Sequence, residues 1–186
     1  MTHRFDVEKA IQATGVLLRK EGKSASRIRI LKLLYIADRM SLEKTGSPIL
    51  GSRRLVAMKH GPLHSEMLDL INGYHIAEAA WSRHFRNVGK DVVLEEEPDV
   101  GKLSRHEIQL LNEIVDARLN LDDWQIVDET HQFQEWKKHY PDLEENTSRP
   151  IPVEDLIEAT GRGDDKESIL QDMKDSDAFD KFFARI

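Results

Sequence analysis

Apolar residues Ile30, Leu33, Leu34 and Ala37 recur at i, i+3, i+4 and i+7, the inner stripe of an amphipathic helix. Leu31, Leu34, Tyr35 and Leu42 add a second stripe, so this helix is expected to be covered on most sides. Lys32, Arg39 and Glu43 share its remaining polar edge. Ser24 or Ser26 caps its start, and Gly46-Ser47-Pro48 stops it, because the residue before a proline avoids the helical region. Upstream, Val7, Ala10, Ile11, Thr14, Leu17 and Leu18 keep helical spacing up to a stop at Gly22. Downstream, Pro62 suits the first turn of a new helix with Leu63, Met67, Leu70 and Ile71 on one face and Gly73 at its end. Leu50 to Met58 fits an extended segment or a short helix, and Ile76 to Trp81 a single helical turn or a loop.

The pattern then changes. Phe85, Val88, Val92 and Leu94 flank Val88-Gly89-Lys90-Asp91, which reads as a turn between two short strands, followed by a solvated acidic exit at Glu95-Glu96-Glu97. Ser104-Arg105-His106-Glu107 is a capping box for a helix whose inner face is expected to be Ile108, Leu111, Val115 and Arg118 with Ile114 and Leu119. Asp122 to Gln125 repeats the device for a helix running to about His131. Trp136 and Tyr140 fall in an aromatic-rich connection closed by Pro141, and Pro150-Ile151-Pro152 opens a further helix through Val153, Leu156 and Ile157. After a polar hinge at Arg162–Asp165, helical spacing resumes with Ile169, Leu170 and Met173, then Phe179, Phe182, Phe183 and Ile186. The expected fold is mainly α: a single helical domain over 1–163 with a small accessory β-hairpin, and a C-terminal amphipathic helical tail over 164–186.

Composition narrows the function. The chain has 186 residues, enough for one domain with a real core. Zero cysteines exclude disulfides, thiolate metal sites and a thiol nucleophile. No run of about 18 apolar residues suits a membrane span, and Met-Thr-His-Arg-Phe-Asp lacks an apolar signal core, so a cytoplasmic location away from membranes is expected. Charge is uneven. Residues 1–90 carry 16 Lys+Arg against 8 Asp+Glu, and residues 91–186 carry 11 against 26, which together give the net −7. Attraction between the halves, or a surface suited to a basic partner, accounts for this. A phosphate-binding patch of Arg27, Arg29, Arg53, Arg54 and Lys59 is the alternative; it would make the chain a DNA-binding autoregulator. The scatter of those residues over several elements and the acidic second half speak against nucleic acid.

Two constellations invite chemistry. Asp38 sits among Leu31, Leu34, Tyr35 and Leu42, and a buried carboxylate needs donors. Backbone amides near Gly46 or His60-Gly61, or a basic side chain, are the candidates, and a clamp holding the loop to the helix is the favoured role over a catalytic acid or metal ligand. His60, His64 and Glu66, with His131, suggest a metal site and hence, as a third reading, a metal-dependent hydrolase. His60 precedes Gly61-Pro62, however, so it does not share a helical face with His64, and the H-E-x-x-H order is absent. No enzyme activity, cofactor or metal is expected.

The run Lys32-Leu33-Leu34-Tyr35-Ile36-Ala37-Asp38-Arg39, the turn Gly46-Ser47-Pro48-Ile49 and the motif Ala57-Met58-Lys59-His60-Gly61-Pro62 together resemble the Panacea domain, the SocA-like, phage-associated antitoxin domain. Ser104 to Glu107, Thr130-His131 with Trp136, and Pro150-Ile151 continue the resemblance, which spans about Val7 to Ala159. It implies a structural signature of Lys32, Tyr35, Asp38, His60, Gly61, Pro62, His131 and Trp136. It also implies an antitoxin that binds and neutralises a cognate protein toxin, in one variant as an adaptor to a Clp-type protease. The tail lies beyond the resemblance. Phe179, Phe182, Phe183 and Ile186 either cap the protein's own core or contact the toxin or a second copy of the chain, which would make a homo-oligomer.

Overall fold

The computed structural model describes residues 5–140 and 147–183, the stretch 176–183 by its helical backbone alone. Helix α1 (Val7–Lys20) starts at Asp6, whose carboxylate accepts the Lys9 amide at 2.9 Å. After β1 (Ser24–Ser26) comes α2 (Arg27–Thr45), capped by the Ser26 hydroxyl at its start and by left-handed Gly46 at its end. Every residue of α2 from Arg29 to Asp38 is buried, because α1, β1, four later helices and a later strand all pack against it. Lys32 therefore does not lie on a polar edge open to water, as the periodicity suggested. It is 2 % exposed.

The next stretch departs most from expectation. Leu55–Met58 is a strand, β2, and Gly61–His64 is β3, so Pro62 sits in a strand and α3 (Ser65–Ile71) starts three residues later. Gly61 has φ +93°, which breaks any helix there and reverses the chain. Proline is tolerated because β3 is an edge strand. A strand residue points its N–H and C=O to the same side; the Pro62 carbonyl faces outward to Lys32, so the missing N–H belongs to the unpaired edge.

Helix α4 (Glu78–Trp81) precedes β4 (Phe85–Val88) and β5 (Asp91–Leu94), joined through the turn at Gly89. Then follow α5 (Arg105–Asp116), α6 (Asp123–Thr130) and α7 (Gln134–His139). Both capping boxes form, at Ser104–Glu107 and Asp122–Gln125. The aromatic connection is thus largely helical. Pro150-Ile151 does not open a helix but lies in β6 (Ser148–Ile151), with α8 (Val153–Ala159) beginning after Pro152. A 3₁₀ turn at Gly163–Asp165 leads into α9 (Lys166–Phe183).

With 55 % of residues helical the fold is mainly α. The strands form two antiparallel three-stranded sheets rather than one hairpin: β1-β5-β4 and β3-β2-β6. Their third members, β1 and β6, are three and four residues long, too short to leave a period-2 signal. Two apolar clusters result. The larger joins α1, α2, α3 and α5 with Phe85, Val92 and Leu94 of the first sheet. The smaller gathers Tyr35 and Leu42 of α2 with Leu55, Ala57, Ile151, Trp136, Leu156, Ile157 and Ile169. Helix α2 belongs to both, with its polar side chains between them.

Candidate functional site

Lys32, Tyr35 and Asp38 follow one another at intervals of three along α2, and all three meet β3. Asp38 is 2 % exposed. Its Oδ1 accepts the backbone amides of Ile49 and Leu50, each at 2.8 Å. Its Oδ2 lies 3.0 Å from Nε2 of fully buried His64. A carboxylate only accepts, so the His64 ring carries a proton on Nε2. One side chain thus ties α2, the loop after it and β3. The donors are the amides at Ile49-Leu50, just past Gly46, and the imidazole of His64, a basic side chain that the sequence did not single out as the partner of Asp38.

The Tyr35 hydroxyl donates to Glu135 Oε1 at 3.2 Å, and its ring packs on His64 and Phe133. Burial, then the Glu135 carboxylate, raises the Tyr35 phenol well above its ordinary value. Arg39 donates to the same Oε1 at 3.1 Å and to the Ala159 carbonyl, with its guanidinium 4.4 Å above the Phe133 ring. Burial of Glu135 raises its carboxyl despite Arg39, and Glu135 Oε2 has no partner among the described residues. Glu135 was not legible as a site residue: it becomes one only when α7 is laid against α2.

Lys32 donates to the Pro62 carbonyl at 2.8 Å. Burial alone lowers its amine from 10.5 to about 7. Gly61 lies under it: a Cβ there would collide with the Thr130 hydroxyl and crowd Lys32 Nζ at 3.2 Å. His131 and Trp136 hold the other side of this turn. Their rings stack at 4.1 Å, and Trp136 Nε1 donates to the Met58 carbonyl at 3.0 Å. Burial, then the Lys32 ammonium, lowers the His131 imidazole. His60 stands edge-on to the Trp124 ring, with centroids 5.1 Å apart.

The structure separates the groups that suggested a metal. His64 pairs with Asp38, Glu66 accepts from Ser52 at 2.7 Å, and among the described residues no three His, Asp or Glu converge as a metal site would require. The five basic residues do not form one surface. Arg29 is buried, donating to Glu21 and to the carbonyls of Leu121 and Arg118. Arg27 donates to Asn72 and to the Gly89 carbonyl; Arg54 is exposed beside Asp69. Arg53 and Lys59 are engaged in contacts of their own. The side chains of Phe179, Phe182, Phe183 and Ile186, and Pro141, lie outside the described residues. Earlier on α9, Ile169 is buried in the smaller cluster, with Leu170 and Met173 packed against it.

A helical body braced by buried polar pairs, with the polar column of α2 fastening a short sheet, is the class of protein these contacts define. The family model described as "Antitoxin SocA-like, Panacea domain" matches residues 30–137, more than half of the chain, and the chain belongs to that family. No curated protein and no solved structure matches it. The matched span includes the eight positions, Lys32 to Trp136, that the resemblance singles out, and stops before α8 and α9.

Proposed function

We propose that this protein neutralises a cognate protein toxin by binding it directly. The observation that carries the reading is the antitoxin family match over residues 30–137, which hold the polar column of α2 and its partners Pro62, His64 and Glu135. Within it, the polar groups that chemistry would recruit, Asp38, His64, Tyr35 and Glu135, hydrogen-bond one another in the interior. Large apolar side chains remain on the outside: Trp124 is 57 % exposed, Tyr74 82 % and Ile76 fully. Aromatic anchors of this kind concentrate binding energy at protein interfaces. The braced body is the scaffold and its outer surface makes the contact. Delivery of the bound toxin to a Clp-type protease uses the same surface with a second partner.

The division into a body over 1–163 and an extension over 164–186 belongs to this reading. The hinge is Arg162–Asp165, and Phe179, Phe182, Phe183 and Ile186 are the extension's contacts with the toxin or a second copy of the chain. The test is co-expression with the protein encoded beside this one. Growth arrested by that protein alone is restored by this chain. Persistent arrest, with both proteins present at equal levels, contradicts the reading.

A further inference from the structure

Between α2, the β2–β3 turn and α3 lies a cleft of about 360 Å³. Leu31, Met58, Leu63 and Leu68 supply apolar walls, and Arg27, Lys32, Lys59 and His60 supply the polar groups. No carboxylate lines it among the described residues. An ammonium has three donors, and Lys32 has one partner among the described residues, the neutral Pro62 carbonyl. Arg27 is likewise held by neutral oxygens, of Asn72 and Gly89. A lysine buried without a counter-charge is costly unless an anion arrives to pair with it. Beside the cleft, the exposed Trp124 ring leans on His60.

The geometry points to a receptor cleft for an acidic side chain of the bound protein: its carboxylate pairs with Lys32, its aliphatic stem lies along Leu31, Met58 and Leu63, and Trp124 covers the entrance. The occupant is chosen by charge complementarity. The cleft joins an apolar wall to the Lys32 amine, whose one partner among the described residues is a neutral carbonyl, and a carboxylate on an aliphatic stem matches both. This inference rests on the antitoxin reading for the source of the carboxylate, and on the cleft alone for its chemistry. The depressed Lys32 amine agrees with it, since a paired anion would restore the proton. The other ionisable groups that line the cleft or act on that amine are Arg27, Lys59, His60 and His131.

The test separates the two dependencies. Calorimetry at pH 8 on the full chain uses 3-phenylpropionate, its neutral amide and phenyl phosphate as probes. The carboxylate binds with proton uptake and at least ten-fold more tightly than the amide, and Lys32→Met abolishes the difference. Equal binding of acid and amide, or a Lys32→Met protein that binds the acid as before, overturns the cleft's chemistry. Phenyl phosphate binding more than ten-fold tighter than the carboxylate overturns the acidic side chain in favour of a phosphorylated small molecule. In parallel, the affinity for the protein encoded alongside is measured. Lys32→Met and Trp124→Ala each weaken it at least ten-fold, with helical circular dichroism unchanged. Full affinity in both variants, alongside normal probe binding, overturns the partner as source. Absence of any complex with the unaltered chain sinks the antitoxin reading and leaves the probe result to decide the cleft.

Discussion

Asp38 joins three segments through three hydrogen bonds, so its removal leaves two backbone amides and a buried imidazole without an acceptor. Each of the three stranded groups costs about 1–3 kcal/mol. Asp38→Ala is expected to lose about 3–5 kcal/mol in urea unfolding; a loss below about 1 kcal/mol would show that water replaces the carboxylate. Lys32 acts in the opposite sense. Its amine titrates near 7 when folded and near 10.5 when unfolded, so between those values the unfolded chain holds the extra proton. Stability therefore rises as pH climbs above 7. The raised Tyr35 phenol works against this only above about pH 10, where an exposed phenol ionises. Between pH 7 and 9.5, Lys32→Met should remove a slope of about 1 kcal/mol per pH unit. Identical slopes for the two proteins would contradict burial of this amine.

Among elements, what the sequence revealed and concealed has a physical pattern. Helices with local signals were legible: Asp6, Ser26, Ser104 and Asp122 each bond an amide three residues on, as a cap does. Elements defined by remote partners were hidden. Pro62 mimics a helix start, and only pairing of Leu55–Met58 with Gly61–His64 and Ser148–Ile151 reveals the second sheet. The Asp38 clamp was legible because a lone acid in an apolar helix demands donors, whereas His64 was concealed by its position in an unforeseen strand. The uneven charge also resolves at this scale. Lys9–Glu107, Lys20–Asp116, Arg39–Glu135 and Lys44–Glu113 join the basic first half to the acidic second. The exposed pairs contribute little each. For α9, a chain ending after residue 173 keeps Ile169, Leu170 and Met173 on the smaller cluster. It is expected to stay folded and to lose toxin affinity or self-association in light scattering. Unchanged affinity and unchanged mass would remove the tail from the interface.

For the molecule as a whole, the internal bracing and the external apolar residues divide the labour. The matched family segment carries both the polar column of α2 and the exposed Trp124, the scaffold and the contact that the proposed toxin binding would use. No helix among the described residues is long and apolar enough to cross a membrane. Direct binding is the central claim, and it is tested most simply by mixing this purified protein with the purified product of the neighbouring gene and measuring mass by light scattering after gel filtration. The account predicts one species whose mass is a sum of the two chains in whole-number ratio, formed without other factors. Two separate peaks at micromolar concentration, from a pair that still shows rescue of growth in cells, would contradict it.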